Sequence, residues 1–103
     1  MTKADEIRFD KLHALGCIAC RHNGTGVFPA EIHHLLSGGR RIGHQGTIPL
    51  CVWHHRGVVP DGLTSMQMTM DHGPSLARGS KAFHMHFGSD GALIAEVNEL
   101  IHE

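Results

Sequence analysis

The chain is short of large anchors: its 103 residues include no tyrosine, one tryptophan and four phenylalanines. Any core must therefore be aliphatic and modest, since a domain of this size hides only about 60–70% of the surface its unfolded chain exposes. Long apolar runs are missing too. None approaches the roughly 20 residues of a membrane-spanning helix, and the charged stretch MTKADEIRFDKLH lacks the apolar segment of a secretion signal. A single cytoplasmic domain over residues 1–103, with no membrane partner, is expected. Nor is there an excess of either charge: nine Lys and Arg against ten Asp and Glu leave a formal charge of −1. That balance excludes a strongly basic protein that holds nucleic acid by bulk electrostatics alone. Cysteine is scarce and odd in number, three in all, so a closed disulfide framework would strand one thiol.

Histidine is what the chain has in abundance. Its eleven imidazoles outnumber the nine Lys and Arg side chains, and imidazole is both the commonest metal ligand and the natural proton carrier near neutral pH. Cys17-x2-Cys20 and Cys51-x2-His54 form two half-sites with the same three-residue step. Zinc takes four N/S donors in a tetrahedron, and each half-site supplies two of them from one turn. In a reducing compartment, this pattern points to structural Zn2+ rather than to disulfides. Such a site can be worth ~10–16 kcal/mol in apparent binding energy, enough to decide whether a small core folds. A second pattern overlaps it, the pairs His33-His34 and His54-His55. Adjacent side chains diverge on a strand and on a helix alike, so neighbours take different tasks. With His54 closing the zinc site, His55 faces elsewhere, and His33 and His34 are its natural partners.

The periodicity predicts an α+β fold, helices around a small two-stranded centre. Asp5–Leu15 reads as a helix stopped by Gly16. Val27–His34 reads as a strand bent or edged by Pro29, and residues 47–52 as a second strand or knuckle. Ser37–Arg41 is expected to be a flexible basic loop. Thr64–Asp71 is ambiguous, because Met66, Met68 and Met70 alternate like a strand while methionine favours helix; the series is expected to pack in the core. Leu76–Phe87 looks helical in parts, and Ala92–His102 is a clear amphipathic helix.

EIHHLLSGG followed by IPLCVWHHRG resembles the HNH (His-Me finger) nuclease motif, a ββα-metal core, in its zinc-bracketed form, with His54 where a cysteine is usual. The longer string GCIACRHNGTGVFPAEIHHLLSGGRRIGHQGTIPLCVWHHRG, with HGPSLARGSKAFHMHFG, is similar to the Ref family of phage RecA-dependent nucleases. The resemblance covers about residues 8–88. It implies a metal-dependent DNA endonuclease in a phage- or prophage-carrying host, acting in recombination on DNA coated by a RecA filament. By the same resemblance, His33 and His55 are ligands of a catalytic divalent ion (Mg2+, Mn2+, Zn2+ or Ni2+), and His34 is the general base. The asparagine usual in the middle of the motif is absent, because the only asparagines are Asn23 and Asn98. His44 or Gln45 could replace it. The third ligand of the catalytic ion is assigned to His72, with His84 and His86 as competitors.

Arg40, Arg41, Arg56, Arg78 and Lys81 surround these segments and could contact phosphates. A reading from a different class stands beside the enzyme: a non-catalytic zinc module that binds nucleic acid or protein. It needs only Cys17, Cys20, Cys51 and His54, whereas the enzyme needs His34.

Overall fold

In the computed structural model, residues 1–102 are described. They form α1 (Lys3–Leu15), α2 (Ile18–His22), β1 (Glu31–His34), β2 (Leu36–Ser37), β3 (Arg40–Arg41), β4 (Thr47–Leu50), α3 (Val52–Arg56), α4 (Ser65–His72), α5 (Ser80–Phe87) and α6 (Asp90–Ile101). The fold is the small α+β arrangement expected from the sequence. Helix starts are set by local chemistry. Thr2 caps α1: its hydroxyl accepts from the Asp5 N–H at 3.1 Å, and the Asp5 carboxylate accepts from the Thr2 N–H at 3.0 Å. Thr64 and Gln67 form the same reciprocal box at the start of α4. That box removes the ambiguity over the methionines in favour of helix. It also corrects their expected role: Met68 is buried, but Met66 and Met70, one helical turn apart, are 72% and 79% exposed. The alternation that suggested a common buried face belongs to a strand, and this segment is not one.

The strand expected from Val27 begins only at Glu31; Val27 and Phe28 are exposed coil ahead of Pro29. The Phe28 carbonyl is nonetheless used, accepting from the Cys17 N–H at 3.0 Å. The loop expected at Ser37–Arg41 is ordered instead as a hairpin, β2 pairing antiparallel with β3 across Gly38-Gly39. Both glycines have positive φ, +60° and +81°, as the tight hairpin turn requires. The helix expected over Leu76–Phe87 occupies only Ser80–Phe87, and α6 starts two residues early because Ser89 caps it.

β1 and β4 pair antiparallel, Glu31 opposite Leu50 and His34 opposite Thr47. The Leu35 N–H donates to the Gly46 carbonyl at 2.9 Å, which sets the alternation of bonded and unbonded pairs along the ladder. Ile32–Pro49 falls on an unbonded pair, so Pro49 costs the sheet no donor. The pleat sends Glu31, His33, Ile48 and Leu50 to one face and Ile32, His34, Thr47 and Pro49 to the other. α3 packs on this ribbon directly after β4, and α1 and α6 pack against each other and against it. Leu12, Ile18, Leu50, Phe83, Leu93 and Val97 are each 0–1% exposed and make the core. Burial of each contributes ~1.5–3 kcal/mol.

Candidate functional site

Cys17 and Cys51 hold the same local post. Each caps a short helix, α2 or α3, and its sulfur accepts the backbone N–H three residues on, that of Cys20 at 3.4 Å and of His54 at 3.5 Å. A residue and the third one after it at a helix start lie on one side, which is why both half-sites keep the same step. The helices bring the four ligand atoms within 4.8 Å of one another. Zinc bonded at about 2.3 Å to sulfur and 2.0–2.1 Å to nitrogen gives a tetrahedron with edges of about 3.8 Å (S–S) and 3.6 Å (S–N). Cys20 and Cys51 sulfurs stand 3.8 Å apart, and His54 Nδ1 lies 3.6, 3.6 and 3.2 Å from the sulfurs of Cys17, Cys20 and Cys51. These spacings fit the edges of a coordination tetrahedron, and the Cys3His set could hold a structural zinc. Protons compete for the same lone pairs. Burial lowers the His54 pKa, but the sulfurs of Cys17 and Cys51 overturn that and push it up to about 10.

The C-terminal end of α4 and the Gly73 that follows it brace this centre. His54 Nε2 donates to the His72 carbonyl at 2.7 Å, the Asn23 amide donates to the same oxygen at 2.7 Å, and Trp53 Nε1 donates to the Gly73 carbonyl at 3.1 Å. Gly73 has φ +82°, and a Cβ there would stand 2.9 Å from the Phe87 ring. No other residue fits that turn without strain.

A second cluster lies on the His33 face of the ribbon. The His33 and His55 rings meet edge-on with centroids 4.9 Å apart. His55 Nδ1 hydrogen-bonds Glu31 Oε1 at 2.9 Å, leaving Nε2 free of that contact. Arg56 grips the same carboxylate through two N–H groups, at 2.9 and 2.6 Å, and holds the Glu31 pKa below its ordinary value. Burial, and then the charge of His55, lowers His33 to about 4; the charges of Asp90 and His84 also reach it. His84 Nε2 hydrogen-bonds Asp90 at 2.9 Å, and its Nδ1 is buried with no partner.

On the opposite face, His34 Nε2 and His44 Nδ1 share a hydrogen bond of 3.0 Å. Phe9 meets both rings edge-on, at 6.2 and 5.6 Å. Burial, then the Arg41 charge and His44, lowers the His34 pKa. His44 is held in turn: the Thr47 hydroxyl donates to its carbonyl at 2.8 Å, Arg8 Nε donates to that hydroxyl at 2.9 Å, and Arg8 Nη1 donates to Asn98 at 2.8 Å.

Of the residues singled out in the sequence, Cys17, Cys20, Cys51 and His54 come together, as do His33 with His55 and His34 with His44. Gln45 turns away from His34, its amide donating to Asp5 at 2.8 Å. His72 is not brought to His33 and His55. It lies beside the Cys3His centre, where its carbonyl serves His54. Arg78 is taken up by the Gly57 carbonyl and the face of Trp53. Sequence reasoning missed Glu31, although its spacing of two from His33 on a strand puts both on one face. It also missed Arg8 and Asn98, ninety residues apart in the chain, for which no local signal exists.

A family model described as recombination enhancement, RecA-dependent nuclease matches residues 1–102. The chain belongs to this family. A nuclease of recombination has DNA as its substrate, and the RecA dependence carried in the family's description agrees with the partner expected from the sequence. No described helix is long and apolar enough to cross a membrane.

Proposed function

We propose that this chain is a metal-dependent DNA endonuclease of the HNH type, acting on RecA-coated DNA in phage or prophage recombination. The observation that carries the reading is that His33 and His34 face opposite sides of β1 and meet different partners. His33 faces a second histidine, His55, whose Nδ1 is held by a carboxylate. His34 faces His44 on the opposite side of the same strand. A histidine oriented by a carboxylate is the usual form of a metal-ligating one.

In this reading His33 and His55 hold the catalytic divalent ion, and His84, oriented by Asp90 and with an idle Nδ1, is a better third ligand than His72. When bound, the ion polarises the scissile phosphate and stabilises the leaving 3′ oxygen. The chain's own residues do the rest. A phosphodiester lying across the edge of β1 reaches both faces of the strand. His34 takes a proton from water; the resulting hydroxide oxygen bonds to phosphorus as the bond to the 3′ oxygen breaks, and that oxygen leaves with a proton from solvent. Products carry 5′-phosphate and 3′-hydroxyl ends. In this reading His44 takes the part of the motif's asparagine, and its side-chain hydrogen bond to His34 supports that role.

The test is cleavage of supercoiled plasmid and of single strands by metal-stripped protein, with Mg2+, Mn2+, Ni2+ or Zn2+ restored in turn, with and without RecA and ATP. Cleavage that requires both metal and RecA supports the full reading. Metal-dependent cleavage without RecA keeps the HNH enzyme and removes the RecA-coated substrate. No cleavage under any condition, with zinc still held by the Cys3His centre, would replace the enzyme by the non-catalytic zinc module.

A further inference from the structure

The hairpin β2–β3 is a projection of the catalytic strand. The Leu35 N–H donates to Gly46 on the β4 side, and the Leu35 carbonyl accepts from the Ile42 N–H at 3.2 Å, so β1 runs through Leu35 into β2. By strand alternation, Leu36 lies on the face of His34, and Arg41, paired opposite Leu36, lies there too. Arg40, opposite Ser37, faces the other way. The arm stands in solvent, with Leu36 57% and Ile42 53% exposed.

Its guanidinium groups are free. Among the described residues neither Arg40 nor Arg41 has a carboxylate partner, whereas Arg56 is committed to Glu31. Two adjacent uncompensated arginines on a chain of net charge −1 make a local anion site, not a general basic surface. An ordered two-strand arm also holds them in place, which a flexible loop would not.

From this placement we infer that the β2–β3 hairpin is a DNA-backbone arm: Arg41 takes the phosphate presented to His34, and Arg40 takes a neighbouring phosphate on the other side of the arm. Arg41 is a positioning residue: it is paired opposite Leu36, two residues along the chain from His34. The arm reads no sequence, because its donors address phosphate and not base edges. This inference takes DNA as the substrate and so rests on the proposed function.

The experiment compares the zinc-loaded full chain with Arg40→Gln, Arg41→Gln and the double variant. Zinc content and thermal melting, expected unchanged, show that each variant folds. Binding of a fluorescein-labelled duplex oligonucleotide is followed by anisotropy across a salt series, and cleavage is measured in parallel. Each phosphate contact contributes about 0.9 to the slope of log affinity against log salt on duplex DNA, so the double variant should lose about 1.8. Its affinity should fall about tenfold or more. Arg40→Gln should raise KM with kcat little changed, whereas Arg41→Gln should lower kcat as well, with partial recovery in Arg41→Lys. An unchanged slope and affinity in the double variant, with wild-type cleavage intact, overturns the arm and leaves the nuclease standing. A reduced slope in a protein that binds but never cuts upholds the arm and removes the catalytic reading. A wild-type chain that does not bind DNA overturns both.

Discussion

His54 Nε2 donates a hydrogen bond to the backbone carbonyl of His72 at 2.7 Å, and this one contact decides how His54 can ligate. With the proton fixed on Nε2, the lone pair of Nδ1 points to the three sulfurs, the tautomer a zinc-bound imidazole needs. His72 contributes its carbonyl, not its ring. His72→Ala is therefore expected to retain zinc stoichiometry and thermal stability within about 0.5 kcal/mol, whereas Cys17→Ser should release the ion and unfold the domain. Metal analysis and thermal melting distinguish the two. Zinc lost in His72→Ala would contradict the backbone role.

The Cys3His centre also sets a dependence on acid. Thiolates and a neutral imidazole bind the ion, so protons displace it, and zinc affinity should fall as pH is lowered. Chelator titrations at a series of pH values should show release becoming easier toward acid, with protons taken up as zinc leaves.

Glu31 orients His55 and is itself pinned by Arg56. Glu31→Gln should weaken binding of the proposed catalytic ion by about 10–100-fold while leaving zinc in the Cys3His centre. Calorimetric titration of the zinc-loaded protein with Mn2+ reads this directly. Unaltered affinity would remove His55 from the ligand set.

His34→Ala should lower cleavage about 10²–10⁴-fold with metal content unchanged. His44→Ala should cost less and should move the acid limb of the pH–rate profile, because it removes the partner of the proposed base rather than the base itself. Normal cleavage by His34→Ala would transfer the proton to another group.

Among the described residues Arg8 is a buried cation without a carboxylate partner, satisfied by Thr47 and Asn98. Burial lowers its pKa. Arg8→Ala strands the buried Thr47 oxygens and unties α1 from β4 and α6, for an expected loss of about 2–4 kcal/mol by urea unfolding. Asp5 lies three residues before Arg8, in the first turn of the same helix. Hydrogen bonds from Gln45 and the Thr2 backbone lower its pKa from 3.8 to about 2. A depressed carboxylate contributes stability above its ordinary pKa and loses it as pH falls toward the folded value. Asp5→Asn should abolish that part of the acid dependence between about 3.8 and 2.

What the sequence determined by itself was chemistry carried by short spacings. Two half-sites with a three-residue step mark out a Cys3His cluster fit to hold zinc, because a helix start puts positions i and i+3 on one side. The doubled histidines predict side chains on different sides, because neighbours diverge on a strand and on a helix alike. The capping boxes at Thr2 and Thr64 are equally local, as is the helix that Ser89 starts. Tertiary structure decided which distant partner meets which side chain. His72, His84 and His86 look alike as ligands in a linear reading; only the path of the chain through Gly73 turns His72 toward the zinc centre and leaves His84 beside Asp90. The same holds for His44 over Gln45, and for Arg8 reaching Asn98 across ninety residues. Such contacts depend on how the helices pack across the ribbon, and packing is a property of the whole core that no short window of sequence contains.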